Sequence, residues 1–252
     1  IFSITIRKTP ELLSLLSTLS FFTMCKICTG EDITNLLNIS GCERVTSIPY
    51  LPKLDVLDCT DCPNLQTIPP LPNLGFIDCS NCPKLQSIPP LPKLRTLVCE
   101  NCPGLSEISS LPKLDSLRCS YCPNLQKIHS LPLLKSLFCN SCPRLQTITD
   151  VYTLHTLHCF DCSSLYYISV RTLERLYCHK CPLLREIPTL PMLYALFCHD
   201  CPLIQKLPYF PNLIYLQCSK WIPHPLNERY KEENFDKVKI LQRKFRMRKF
   251  IK

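Results

Sequence analysis

The sequence predicts a repeat solenoid, an array of stacked coils, on three observations. From Leu51 the chain repeats every 20 residues, as in LPKLDVLDCTDCPNLQTIPP followed by LPNLGFIDCSNCPKLQSIPP; self-similarity at such a period marks units that bury their apolar faces only by stacking. One column of the alignment holds leucine without exception: Leu54, Leu74, Leu94, Leu114, Leu134, Leu154, Leu173, Leu193 and Leu213. With 24 Pro and only 4 Gly, the regular elements end mainly on residues that lack a backbone N–H.

Counting Leu51 as position one, position seven is Leu or Ile from Leu57 to Leu216, and position eighteen is Ile or Leu from Ile68 to Leu207. The consensus LxxLxCxxCPxL is the leucine-rich-repeat signature LxxLxLxxNxxL with cysteine in two slots. Alternation along the strand points Leu57 and Cys59 inward and Val56 and Asp58 outward. Each coil of ~20 residues therefore adds one parallel strand. Position two is usually Pro and position nineteen often is, so the return leg is expected to be extended and proline-rich, with at most a brief turn. A one-residue slip falls near Ile168 to Val170, in a connection.

One coil cannot offset the entropy of ordering its own backbone, so the array must fold as a unit with protected ends. Residues 31–50 read as a degenerate first coil that keeps Leu37, Cys42, Val45 and Ile48, and Trp221 replaces the second cysteine of the last coil. The expected division is an N-terminal extension or cap at 1–30, the solenoid at 31–221, and a basic helical cap or tail at 222–252. Residues 1–23, before the first methionine, are expected to be an upstream extension or a short capping helix rather than a signal peptide. Pro10 and Glu11 interrupt the charged-to-apolar transition, and no small-x-small site follows. The longest apolar stretch, Leu12 to Met24, is too short for a membrane span.

Eight CxxC pairs, from Cys59/Cys62 to Cys198/Cys201, would ordinarily call for zinc or redox chemistry. Their register favours a structural role. The first cysteine fills a leucine slot, and the second fills the slot where a small side chain turns inward beside backbone polar groups. Neighbouring ladder cysteines should lie roughly 5 Å apart, so geometry alone leaves disulfides open, but a reducing compartment fits better. Cys25 and Cys28 lie outside the repeat. They are either half of a zinc site or a structural pair, and no second pair completes a treble-clef or RING spacing. No metal site and no cofactor are assigned from the sequence.

Outward strand positions change along the array while inward ones do not. Early coils show Asp55, Asp58, Asp61 and Asp78; later coils show Phe138, His158, Phe160, Tyr177, His179, Tyr194, Phe197 and His199. Rings on a solvent-facing sheet have the composition of a protein-binding hot spot, and these eight residues are the candidate partner-binding site. The alternative is that such rings merely cover one another. His179 and His199 share a column, which admits metal binding only weakly.

Net charge is +9, with about two-thirds of the excess beyond residue 221. There Phe235, Val238, Leu241 and Phe245 recur at helical spacing, giving a basic amphipathic helix. It is expected to cover the open end of the solenoid; calmodulin-like recognition, nucleic acid and an anionic membrane are the rivals.

Repeats of the form CPxLxxIPxLPxLxxLxC, the WIP sequence at Trp221 and the FD…LQR…R tail resemble the leucine-rich-repeat proteins of mimivirus-like giant viruses. The resemblance implies a reducing setting in the host-cell cytoplasm and a protein partner, with host proteins among the candidates. The LPxLP legs are also similar to repeats of secreted bacterial ubiquitin-ligase effectors, but the residues after Trp221 leave no room for their catalytic domain. The function expected is therefore protein–protein interaction through the sheet face, with nucleic acid disfavoured and oligomeric state open. A ubiquitin-ligase adaptor is the alternative, although no F-box is seen. An enzyme is disfavoured, because neither a phosphate-cradling glycine loop nor a catalytic triad is evident.

Overall fold

A computed structural model describes residues 25–29 and 35–219. A helical turn α1 (Lys26–Thr29) precedes fourteen strands: β1 (Leu36–Asn38), β2 (Val56–Asp58), β3 (Phe76–Asp78), β4 (Thr96–Val98), β5 (Glu107–Ile108), β6 (Ser116–Arg118), β7 (Lys127–Ile128), β8 (Ser136–Phe138), β9 (Thr147–Ile148), β10 (Thr156–His158), β11 (Tyr167–Ile168), β12 (Arg175–Tyr177), β13 (Ala195–Cys198) and β14 (Tyr215–Cys218). Ten of them form one parallel sheet in the order β1-β2-β3-β4-β6-β8-β10-β12-β13-β14. The chain is a solenoid of stacked coils of about 20 residues, each contributing one strand to that sheet.

Every strand places one leucine-slot residue inward. Leu37, Leu57, Ile77, Leu97, Leu117, Leu137, Leu157, Leu176, Leu196 and Leu216 pair in register from β1 to β14 and are all buried. One coil shows the whole interior set: Leu71, Leu74, Ile77, Cys79, Cys82, Leu85 and Ile88 are buried. Because side chains repeat at 20 residues, like stacks on like, and the core is a set of parallel columns.

Some of the prolines act at two corners of the coil. Leu74 N–H donates to Leu71 O at 3.3 Å across Pro72, and Leu85 N–H donates to Cys82 O at 3.1 Å across Pro83. The proline sits second in each turn, where its fixed φ suits the bend and its missing N–H is not needed. A second, broken ladder runs on the return side, where β5 pairs β7 and β9 pairs β11. His129 N–H donates to Ile108 O at 3.0 Å and Ser169 N–H to Ile148 O at 2.9 Å. Coils with Pro69 or Pro89 at that position have no N–H to give, so the ladder stops there. Where the repeat loses a residue, Ser169 is followed directly by Val170, which is buried in the position-one column, and the His158↔Tyr177 register is kept.

All twenty cysteines are free thiols, and seventeen are buried. The second cysteine of each pair donates to the backbone carbonyl of position nine in the preceding coil: Cys62 to Ile39 O at 3.2 Å, Cys102 to Cys79 O at 3.2 Å, Cys162 to Cys139 O at 3.1 Å and Cys201 to Cys178 O at 3.0 Å. These carbonyls face the interior as the chain leaves the strand, where an unpaired acceptor is costly. Burial pushes the thiols of Cys102, Cys122 and Cys142 up to about 12, which keeps these donors protonated.

After the strand the chain turns through the left-handed region once per coil. Gly41, Asp61, Asn81, Asn101, Tyr121, Ser141, Asp161, Lys180 and Asp200 all have φ between 53° and 72°. Gly, Asn and Asp tolerate this conformation best, which accounts for six of the nine. Of the expected N-terminal segment at 1–30 only residues 25–29 are described, and Trp221 and the expected basic helix at 222–252 lie outside the described residues.

Candidate functional site

The outward strand residues form lanes that run across the sheet. One lane, in register from β1 to β14, reads Asn38, Asp58, Asp78, Val98, Arg118, Phe138, His158, Tyr177, Phe197 and Gln217. At its acidic end Asp58 accepts bonds from Thr60 N–H at 3.1 Å, from the Thr60 hydroxyl at 2.7 Å and from Asn38 Nδ2 at 3.1 Å. Those bonds hold the carboxylate against the sheet.

From Phe138 the same lane becomes a stack of rings. Phe138 and His158 lie 4.6 Å apart centroid to centroid, His158 and Tyr177 4.1 Å, and Tyr177 and Phe197 4.7 Å, with interplanar angles of 26°, 17° and 10°. Strand spacing sets this distance, because adjacent parallel strands lie ~4.8 Å apart and identical rotamers then place rings face to face. A second stack runs beside the first one step later in each coil. Phe160 and His179 are 4.6 Å apart, and His179 and His199 are 4.5 Å apart.

The guanidinium of Arg118 caps the first stack, 5.2 Å from the Phe138 centroid, a cation–π contact. Tyr194 does not join either stack. It lies in a lane nearer the strand start, where the Arg175 guanidinium sits 5.1 Å from its ring and Arg175 Nε donates to its hydroxyl. The eight ring residues singled out from the sequence are thus brought together as two stacks and one flanking tyrosine, rather than as a single sheet of side chains. All eight are half-buried. They cover one another's faces and leave edges toward solvent.

Arg118 and Arg175 were not among the expected site residues. Arg118 lies 20 residues before Phe138 and so in its column, a signal that was available; nothing in the spacing alone shows Arg175 folding over Tyr194.

Burial lowers the basicity of His158, and the facing Arg175 and Arg118 act in the same direction. Burial does the same at His179, reinforced by His199 and Lys180. Nδ1 of His179 and of His199 is buried without a hydrogen-bond partner among the described residues. Burial thus favours the neutral form of the His179 ring, which lies against His199 at a centroid distance of 4.5 Å.

No helix among the described residues is long and apolar enough to cross a membrane. Surface depressions near Asp61, Asn81 and Asn101 are shallow.

No protein-family model matches the chain, and no curated protein does. Among solved structures, it is similar to a leucine-rich repeat protein from Bacteroides ovatus, at 16% identity and a TM-score of 0.43. That similarity covers 77% of this chain and 66% of the other. The fold assignment rests on the coil register itself.

Proposed function

We propose that this solenoid is a protein-recognition module that binds its partner on the C-terminal half of the sheet face. The observation that supports it most is the double ring stack, Phe138–His158–Tyr177–Phe197 beside Phe160–His179–His199. Rigid aromatic side chains lose little conformational freedom on binding and dominate interface energetics. Here stacking has already ordered them. Arg118, whose Nε donates to Glu100 Oε1 at 3.1 Å, and Arg175 flank the rings, so the partner is expected to present apolar groups over the stacks and polar groups at this rim.

The setting that goes with this reading is reducing, the host-cell cytoplasm that the giant-virus resemblance implies, because the ladder thiols are used as hydrogen-bond donors. Residues 31–221 form the body in this proposal, and the segments at 1–30 and 222–252 protect its ends. The test is affinity purification of the full chain from the cells that express it, alongside a Tyr177→Ala/Phe197→Ala variant. A protein recovered with the wild type and lost from the variant supports the reading. Equal recovery places the site elsewhere.

A further inference from the structure

The first coil breaks the cysteine rule. Where later coils carry CxxC, it reads Ile39-Ser40-Gly41-Cys42, with a single buried thiol. In all eight later coils the corresponding thiol donates to a carbonyl of the coil before it, as Cys62 does to Ile39 O. Cys42 belongs to the first described coil, and its sulfur instead lies 3.7 Å from Cys28 Sγ. Cys28 Sγ is in turn 3.5 Å from Cys25 Sγ. All three sulfurs lie within 4.8 Å of one another.

We propose that Cys25, Cys28 and Cys42 form a three-thiolate site for one zinc ion at the N-terminal end of the solenoid. Zinc–sulfur bonds of about 2.3 Å in a tetrahedron require sulfurs about 3.8 Å apart, close to the two separations observed. The CxxC spacing puts Cys25 and Cys28 on one turn around α1, which is the usual way a chain offers two ligands to zinc. The third ligand comes from a rigid coil, so the site joins a local loop to the folded array. Cys25, Ile27 and Cys28 already pack against the hydrophobic core. The ion would fasten that short segment over the end of the stack, where an unprotected coil would expose its interior. A water molecule would complete the fourth position.

The ladder thiols are unsuited to the same task, since each is already committed to a backbone carbonyl. Zinc is therefore expected once per chain, and the proposal stands independently of the ring-bearing face.

The test uses the full chain, reduced and stripped of metal, titrated with Co(II) and then Zn(II). The expected result is one equivalent of Co(II) with the absorption of a tetrahedral cobalt–thiolate site, displaced by one equivalent of Zn(II). Cys25→Ser and Cys28→Ser lie outside the repeat and should keep the wild-type circular dichroism while weakening Co(II) binding at least tenfold. Cys122→Ser, in the ladder, should leave binding unchanged. No thiolate band in the wild-type chain, an unaltered band in Cys28→Ser, or several equivalents bound through the ladder would each overturn the proposal.

Discussion

The thiol of Cys82 donates to the carbonyl oxygen of Cys59, one coil earlier, across 3.1 Å. The relation recurs along the array, as between Cys142 and Cys119 O at 3.2 Å, and it explains why a residue type usually prized for reactivity is used here inside a core. In this slot a thiol is small, apolar enough for burial, and still a donor.

Replacing Cys142 with Ala should therefore lower stability by about 1–3 kcal/mol, because it leaves the buried Cys119 carbonyl unpaired. Cys142→Ser keeps a donor at the site and should lose less. Urea denaturation under reductant measures both. An Ala variant as stable as the wild type would show that the carbonyl does not depend on the thiol.

Tyr121 is a candidate for the opposite effect. It occupies the left-handed turn at φ 60° with an exposed ring, where a bulky residue costs about 1–2 kcal/mol relative to glycine. Before it, Asn81 Nδ2 donates to Asp61 Oδ1 at 2.8 Å and Asn101 Nδ2 to Asn81 Oδ1 at 2.9 Å. Tyr121→Asn should relieve strain and offer the next amide of that row. The expected gain is about 1 kcal/mol, read as a higher thermal midpoint; an unchanged or lower midpoint would count against the strain.

The histidine stacks should make the fold acid-sensitive. The folded-state pKa values of His158 and His179 lie below the ordinary 6.5, so the unfolded chain takes up protons first as pH falls. The stability from neutral rings is present above 6.5 and is lost as pH falls toward the lowered values. Arg118, Arg175 and His179 face His158, while His199, Lys180, Asp161 and Asp200 surround His179. The wild-type thermal midpoint should fall between about pH 7 and about pH 5, the range in which histidine titrates. A His158→Gln/His179→Gln variant should fall less over the same interval. Parallel curves would exclude these rings as the cause.

The coil was legible because every interior column repeats at one spacing, so Leu57 or Cys59 could be placed from its position alone. The slip was legible too, since Leu173 and Leu176 return to phase after it. Other features depend on atoms that the alphabet does not show. Nothing in the spelling distinguishes a proline in an extended leg from Pro72 at a hydrogen-bonded corner. The sequence placed Tyr194 with Tyr177 and Phe197 because all three are aromatic and close along the chain; the lanes separate them, and Arg175 takes the Tyr194 ring. The meeting of Cys42 with Cys25 and Cys28 was hidden by sequence distance and by counting Cys42 with the ladder.

The partner-binding face can be separated from the core by adjacent residues. Leu196 is fully buried and Phe197 is half-buried on the sheet face beside it. Leu196→Ala should cost about 2–5 kcal/mol and impair every activity through folding. Phe197→Ala removes one end of the ring stack, whose stacking contribution is about 0.5–1.5 kcal/mol, so the fold should survive with a modestly lower midpoint. If the stack is a hot spot, losing about 2 kcal/mol of binding weakens Kd roughly thirtyfold, and the Tyr177→Ala/Phe197→Ala pair should abolish capture. Asp58→Ala, in the same lane but six strands before Tyr177 along the sheet, should leave capture intact. Capture that fails in Asp58→Ala and persists in the double ring variant would move the interface to the acidic half of the sheet.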